Sequence, residues 1–150
     1  MAAARADGAP LIVTIETARG VAAACDIAQV ATVTRLGLGG MDLIRDLGCS
    51  DDELPVLMAK SQVVVASRAA GLPGPIHSIY PYVHDEEGLS RHAAQAARLG
   101  YSAQSILSPR QIPAVHTAFS VDETHRSWAT AVLEAFASSG GSPTQTAAGE

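Results

Sequence analysis

Cysteine, lysine and aromatic residues are scarce in this 150-residue chain, and each scarcity removes a class of chemistry. There are two cysteines and one lysine, and only 4% of residues are aromatic. Cys25 and Cys49 stand in unrelated contexts with no close pairing motif. This argues against a disulfide framework and a thiolate zinc site, and reads as two small buried or half-buried side chains in a reducing compartment. The one lysine, Lys60, falls in a stretch, 54–70, with a helical pattern. A Schiff-base aldolase needs its amine desolvated in the pocket, so a lysine on a covering helix is a poor candidate and a metal the better electrophile. Basic residues are outnumbered 10 to 15, giving a net charge of −5 with no basic stripe, which removes the electrostatic footprint of a nucleic-acid binder. No apolar run approaches the roughly 20 residues that cross a bilayer. The Ala-rich start has no signal-type apolar core before Asp7 and Gly8. No membrane partner is expected, and a cytoplasmic location is.

What is present suffices for one core, with 47% hydrophobic and 17% charged residues. The first ten residues read as a flexible lead, 11–137 as one folded domain, and 138–150, rich in Ser, Gly, Thr and Ala, as a disordered tail. Strands are expected over 11–15, 33–38, 76–80 and 102–107, and helices over 18–29 (broken by Gly20), 51–70, 86–99, 110–119 and 122–136. The second of these helices follows a capping box at Ser50–Asp51–Asp52–Glu53, and its Val63–Val64–Val65 run taken alone could be a strand. Asp85 is placed to cap the helix at 86, and Ser120–Val121–Asp122–Glu123 reads as a further capping box. Trp128, Val132 and Leu133 form the apolar stripe of a packing helix. Strand–helix alternation at intervals of about 30 residues is the period of right-handed βα units on a parallel sheet. Four such units make half of a closed eight-stranded barrel, which typically takes about 250 residues, or else a small open sheet.

Ligands of such sheets bind at the strands' carboxyl ends. The apolar run Leu11–Ile15 ends on Glu16, and 33–38 runs into Gly39–Gly40–Met41–Asp42. A carboxylate closing a buried strand implies a cation, an arginine or a substrate hydroxyl opposite it; alternatively Glu16 caps the next helix or pairs with Arg19. Two successive glycines before an acidic residue let backbone N–H groups approach a ligand, or form a plain tight turn. Glu16 and Asp42 lie on neighbouring units and can point into one mouth.

The segments Ile15–Glu16–Thr17–Ala18–Arg19–Gly20, Gly37–Leu38–Gly39–Gly40–Met41–Asp42–Leu43, Ala69–Ala70–Gly71–Leu72–Pro73, Asp85–Glu86–Glu87–Gly88 and Pro109–Arg110–Gln111–Ile112 resemble, in order, the carboxyl half of citrate lyase β-subunit-like CoA-ester lyases of the HpcH/HpaI aldolase/citrate lyase superfamily. The resemblance implies four βα units of a (β/α)8 TIM-type barrel with carboxyl-terminal helices. It implies Mg²⁺ held by Glu16 and Asp42 as catalytic and metal-binding residues, with Gly40, Met41 and Asp42 cradling the carboxylate of a 2-keto acid. The family's Asp–Gly pair on the third strand is His77–Ser78 here, and its Lys and His before Pro109 correspond to Gln104 and Ser108. His77 is therefore a candidate acid–base or substrate-binding group, with a core histidine as the alternative. The implied reaction is cleavage of a 3-hydroxyacyl-CoA of citryl-, malyl- or citramalyl type into an acyl-CoA and a keto acid. The alternatives are a non-catalytic or partner-dependent barrel half and a CoA-independent metal aldolase. The implied partners are the acyl-CoA and keto-acid substrates, and a homo-oligomer or a complementary barrel half.

Overall fold

A computed structural model of the chain describes residues 8–50 and 53–140. The expected capping box before residue 54, most of the lead and most of the tail fall outside the described residues. Two compact units are present, one ending at Phe119 and the other beginning at Ser120.

The first unit is built on β1 (Leu11–Ile15), β2 (Val33–Leu38), β3 (Ile76–His77) and β4 (Ala103–Gln104), which form one sheet in the order β1-β2-β3-β4 with every neighbour parallel. Between the strands run α1 (Ala18–Ala22), α2 (Ala24–Ala28), α3 (Gly40–Leu47), α4 (Glu53–Ala69) and α5 (Glu86–Leu99). A 3-10 turn (Pro109–Gln111) and α6 (Ile112–Phe119) follow β4. Four parallel strands with helical crossovers are four units of a (β/α)8 barrel, a partial barrel.

Strand alternation decides which side chains face the helices. Ile15, Leu36 and Leu38 are almost wholly buried, as are Val63, Ala59 and Ala66 of α4 and Ala24 and Ala28 of α2. Alanines at these contacts let α2 and α4 lie close to each other and to β2. The Val63–Val65 run is helical, with Val63 buried and Val65 61% exposed. Residues 63 and 65 lie on different faces of the helix, and the flanking helix formers decide the matter. Lys60 is also buried, 7% exposed, rather than lying on an outer face.

Three expected elements change on folding. The helix over 18–29 breaks at Ala23 rather than at Gly20, which lies inside α1, and the Gln62 amide donates to the Val21 carbonyl near the break (3.0 Å). The third and fourth strands shrink to two residues each. Before β3, Pro75 and Gly74 are held by Ser102, through its N–H (3.1 Å) and its hydroxyl (2.6 Å), and after residues 77 and 104 the regular pairing gives way to the loops at the sheet's carboxyl end. Cys25 is exposed and Cys49 half-buried, and both are free. Helix ends follow the expected chemistry: Asp85 accepts from the Gly88 N–H (2.9 Å), and Gly48 and Gly100 take left-handed conformations at the ends of α3 and α5.

The second unit consists of α7 (Glu123–Ser138). Its cap is Asp122, not Ser120. The Asp122 carboxylate accepts from the His125 N–H (2.8 Å) and pairs with the His125 ring (2.7 Å). The stripe read as core is not buried, since Trp128 is 48% and Leu133 68% exposed.

Candidate active site

Register assembles the site. Ile15 pairs with Leu38, Gly37 with Ile76, and Ile76 with Ala103. The next residues toward the carboxyl end are therefore Glu16, Gly39, Ser78 and Ser105, side by side across four strands. Two backbone bonds extend the ladder to this row: Gly39 N–H donates to the Ile15 carbonyl (2.9 Å) and Ser105 N–H to the His77 carbonyl (3.0 Å). All four residues, with Gly40, Met41 and Asp42, line one cleft of about 260 Å³.

Glu16 lies over the glycine pair. A Cβ placed on Gly39 would meet a Glu16 carboxylate oxygen at 2.5 Å, and one placed on Gly40 would meet Ser78 Oγ at 2.8 Å. The side chains of Glu16 and Ser78 thus occupy the space the glycines leave. Thr17, not Glu16, caps α1, accepting from the Gly20 N–H (3.0 Å). The alternative reading of Glu16 as cap is thereby removed. Neither Glu16 nor Asp42 has a side-chain hydrogen bond or ion pair among the described residues, so the pairing of Glu16 with Arg19 is absent too. Two carboxylates without partners share one mouth.

The amino end of α3 points its unused donors at the same place. Gly39 offers no side-chain cap, and the first helical bond runs from the Leu43 N–H to the Gly39 carbonyl (3.0 Å). The N–H groups of Gly40, Met41 and Asp42 therefore have no intrahelical acceptor, and the helix dipole adds positive potential there. Asp46 fixes this helix to its neighbour by accepting from the Ala18 N–H (2.7 Å). Among the described residues no group of three or more His, Cys, Asp or Glu side chains is arranged to hold a metal ion. That donor set, two hard carboxylates with room for water and substrate oxygens, suits Mg²⁺ and not a structural zinc.

His77 requires a correction. It is fully buried, lies against the rings of His92 (4.4 Å between centroids) and Tyr101 (4.7 Å), and lines no part of the cleft. Alternation along β3 turns residue 77 toward the helices and residue 78 toward the mouth. No hydrogen bond reaches either ring nitrogen. Burial, then the neighbouring charges of His92 and Lys60, holds its pKa down to about 3, and the Gln104 side chain opposes this only weakly. An imidazole held neutral and walled in by rings is a core residue, and a substrate-binding role does not fit its placement. Ser78 and Ser105 were not singled out in the sequence, although counting two residues on from Ile76 would have found Ser78.

An α/β partial barrel with an acidic cleft at the carboxyl ends of its strands has the layout of (β/α)8 barrels, whose ligand sites lie on that face. The HpcH/HpaI aldolase/citrate lyase family model matches residues 4–109, and the chain belongs to that family. It is 33% identical over 130 residues to the citrate lyase subunit beta-like protein of Deinococcus radiodurans, covering 85% of this chain and 45% of that one. The mitochondrial citramalyl-CoA lyase of Mus musculus is 31% identical over 138 residues, covering 84% of this chain and 40% of its own length. Among solved structures, the CitE protein of Mycobacterium tuberculosis in complex with magnesium, acetoacetate and coenzyme A superposes with a TM-score of 0.73 at 30% identity. That match covers 86% of this chain and 51% of the other. The chain thus spans about half the length of the relatives it matches.

Proposed function

We propose that this chain carries the metal-holding part of a Mg²⁺-dependent carbon–carbon lyase that splits a 3-hydroxyacyl-CoA of citryl-, malyl- or citramalyl type into an acyl-CoA and a 2-keto acid. The observation that supports this best is the pair of unpartnered carboxylates, Glu16 and Asp42, lining one cleft with Glu16 folded over Gly39. Glu16 and Asp42 hold the ion. When bound, Mg²⁺ supplies Lewis acidity toward the oxygen on which negative charge gathers as the carbon–carbon bond breaks. The N–H groups of Gly40, Met41 and Asp42 orient the keto acid's carboxylate, and the missing side chains of Gly39 and Gly40 let Glu16 and Ser78 lie close against the amino end of α3. The complex of the CitE relative with magnesium, acetoacetate and coenzyme A agrees with this chemistry.

A second reading, a barrel half that works only with a partner, is favoured by the sheet itself. Within it, β1 and β4 are the outer strands and each pairs on one side only. Both readings place the ion at the same carboxylates and differ in turnover.

Titration of the 150-residue chain with Mn²⁺, followed by electron paramagnetic resonance and competed with Mg²⁺, tests the site. Glu16→Gln and Asp42→Asn should each weaken binding by about tenfold or more, since each replaces an anionic ligand by a neutral one. Binding unchanged in either variant would remove that residue from the site. Turnover of 3-hydroxyacyl-CoA thioesters by the chain alone would sink the partner-dependent reading. Turnover only after addition of a complementary half would establish it.

A further inference from the structure

The acidic cleft does not end at Gly40 and Ser78. A larger cavity, of about 460 Å³, opens between α3, α4 and α5 beside the loop after β3, and it shares Leu38, Gly40, Met41, Ser78 and Ile79 with the cleft. The two form one continuous recess. One end holds Glu16, Asp42 and Ser105, and the other is walled by Leu43, Val56 and the ring of Tyr80. Leu43 is 0% and Val56 5% exposed, so this end is lined by fixed hydrocarbon. The polar side chains on its wall are bonded within the protein: Lys60 donates to Gln95 Oε1 (3.3 Å), His92 Nδ1 lies 3.3 Å from Gln104 Oε1, Arg91 pairs with Glu87 (2.6 Å), and the Tyr80 hydroxyl donates to Asp85. No Asp or Glu lines the cavity among the described residues. A group that enters it meets hydrocarbon and polar side chains that already have partners, which suits an alkyl chain. On the shared wall Gly40 has no side chain and Ser78 a short one, so little bulk stands between the two ends.

We propose that the recess selects a 2-keto acid with an apolar side chain of several carbons, in place of the hydrogen, methyl or carboxymethyl group of the malyl, citramalyl and citryl types. This rests on the reading of the cleft given above. The keto acid's carboxylate lies at the amino end of α3, beside Glu16 and Asp42, and its chain runs past Gly40 and Ser78 to lie along Leu43, Val56 and the Tyr80 ring. The matching thioester is a longer homologue of the citramalyl type, with the alkyl chain on the carbon that bears its hydroxyl and carboxylate.

The test is calorimetry on the 150-residue chain loaded with Mn²⁺, with pyruvate, 2-oxohexanoate and 2-oxoglutarate as probes. Three more buried methylenes should make 2-oxohexanoate bind about tenfold or more tighter than pyruvate. The chain of 2-oxoglutarate carries a second carboxylate into hydrocarbon and should bring no such gain. Val56→Phe fills the cavity and should abolish the advantage of 2-oxohexanoate while leaving pyruvate bound as in the wild type. In the wild type loaded with Mg²⁺, nuclear Overhauser contacts should join the terminal methyl of 2-oxohexanoate to the Val56 methyls and the Tyr80 ring, which reads the chain's place whether or not Val56→Phe folds. Pyruvate binding that needs the ion with no gain for 2-oxohexanoate, a greater gain for 2-oxoglutarate, a gain retained in a folded Val56→Phe chain, or methyl contacts to Ile12 and Thr14 instead would overturn the proposal and leave the metal site standing. The same chain-length gain without need of the ion would overturn the metal reading and uphold the cavity. Binding of none of the three probes would overturn both.

Discussion

At the scale of the residue, two positions show how a side chain's worth depends on what stands beside it. Gly39 has φ −97°, open to any residue, so its lack of a side chain is not a backbone requirement. It is a requirement of the Glu16 carboxylate, which fills the place a Cβ would take. Gly39→Ala should therefore leave thermal stability nearly unchanged while weakening Mn²⁺ binding by about tenfold, as the carboxylate is forced off its position. Equal binding by the variant would show that the carboxylate moves freely. His77 is the opposite case, a polar side chain whose polarity is unused. Its pKa falls from 6.5 unfolded to about 3 folded, mainly through burial. Between those values the unfolded chain binds a proton that the folded chain does not, so stability is whole above about pH 6.5 and declines as pH drops toward 3. The slope reaches about 1.4 kcal/mol per pH unit at most. His77→Leu should flatten this part of the profile in urea titrations at pH 7, 5 and 4, and be neutral or stabilising at pH 7, since an apolar group replaces two unbonded nitrogens. A profile as steep as the wild type's would place the acid sensitivity elsewhere.

At the scale of the element, the loops at the carboxyl end are held by side chains that bond to backbone. Gln111 is 2% exposed. Its Oε1 accepts from the N–H groups of Leu107 (2.8 Å) and Ser108 (3.3 Å), and its Nε2 donates to the Tyr80 carbonyl (3.2 Å). One amide thus ties the turn after β4 to the loop after β3, the two loops that begin at Ser105 and Ser78. Gln111→Ala strands buried donors and an acceptor and should cost about 2–3 kcal/mol, read from the shift of the urea midpoint. A loss under about 0.5 kcal/mol would mean that water replaces the amide. Similar accounting explains which elements could be foreseen. The caps at Thr17 and Asp85 and the stop at Gly100 are local chemistry, legible from residue type, whereas α3, ending at Gly48, is not among the expected helices. The break at Ala23 is not local, because the Val21 carbonyl is taken by Gln62, 41 residues away.

At the scale of the whole molecule, the sheet has an outer strand at each end. Among the described residues β1 pairs only with β2, and β4 only with β3. Ile12, on β1, is 60% exposed. Unpaired strand edges with apolar side chains are templates for association. The chain should therefore sediment as a concentration-dependent species larger than a monomer, and a complementary half-barrel should reduce that self-association. A strict monomer across the micromolar range would show that the edges are protected in solution. The chain spans about half the length of the relatives it matches.

Residue order by itself determined the strand–helix alternation, the parallel class of the sheet, the caps at Thr17 and Asp85 and the two acidic strand ends, since each depends on neighbours within a turn or a strand. Tertiary structure decided what depends on distant segments. Register across four strands set Glu16, Gly39, Ser78 and Ser105 in one row. Alternation on a two-residue strand turned His77 into the core, and packing carried Lys60 from a presumed outer face to the wall of a cavity. A side chain's facing on a short strand shifts with a single residue of register, and only the neighbouring strands supply that register.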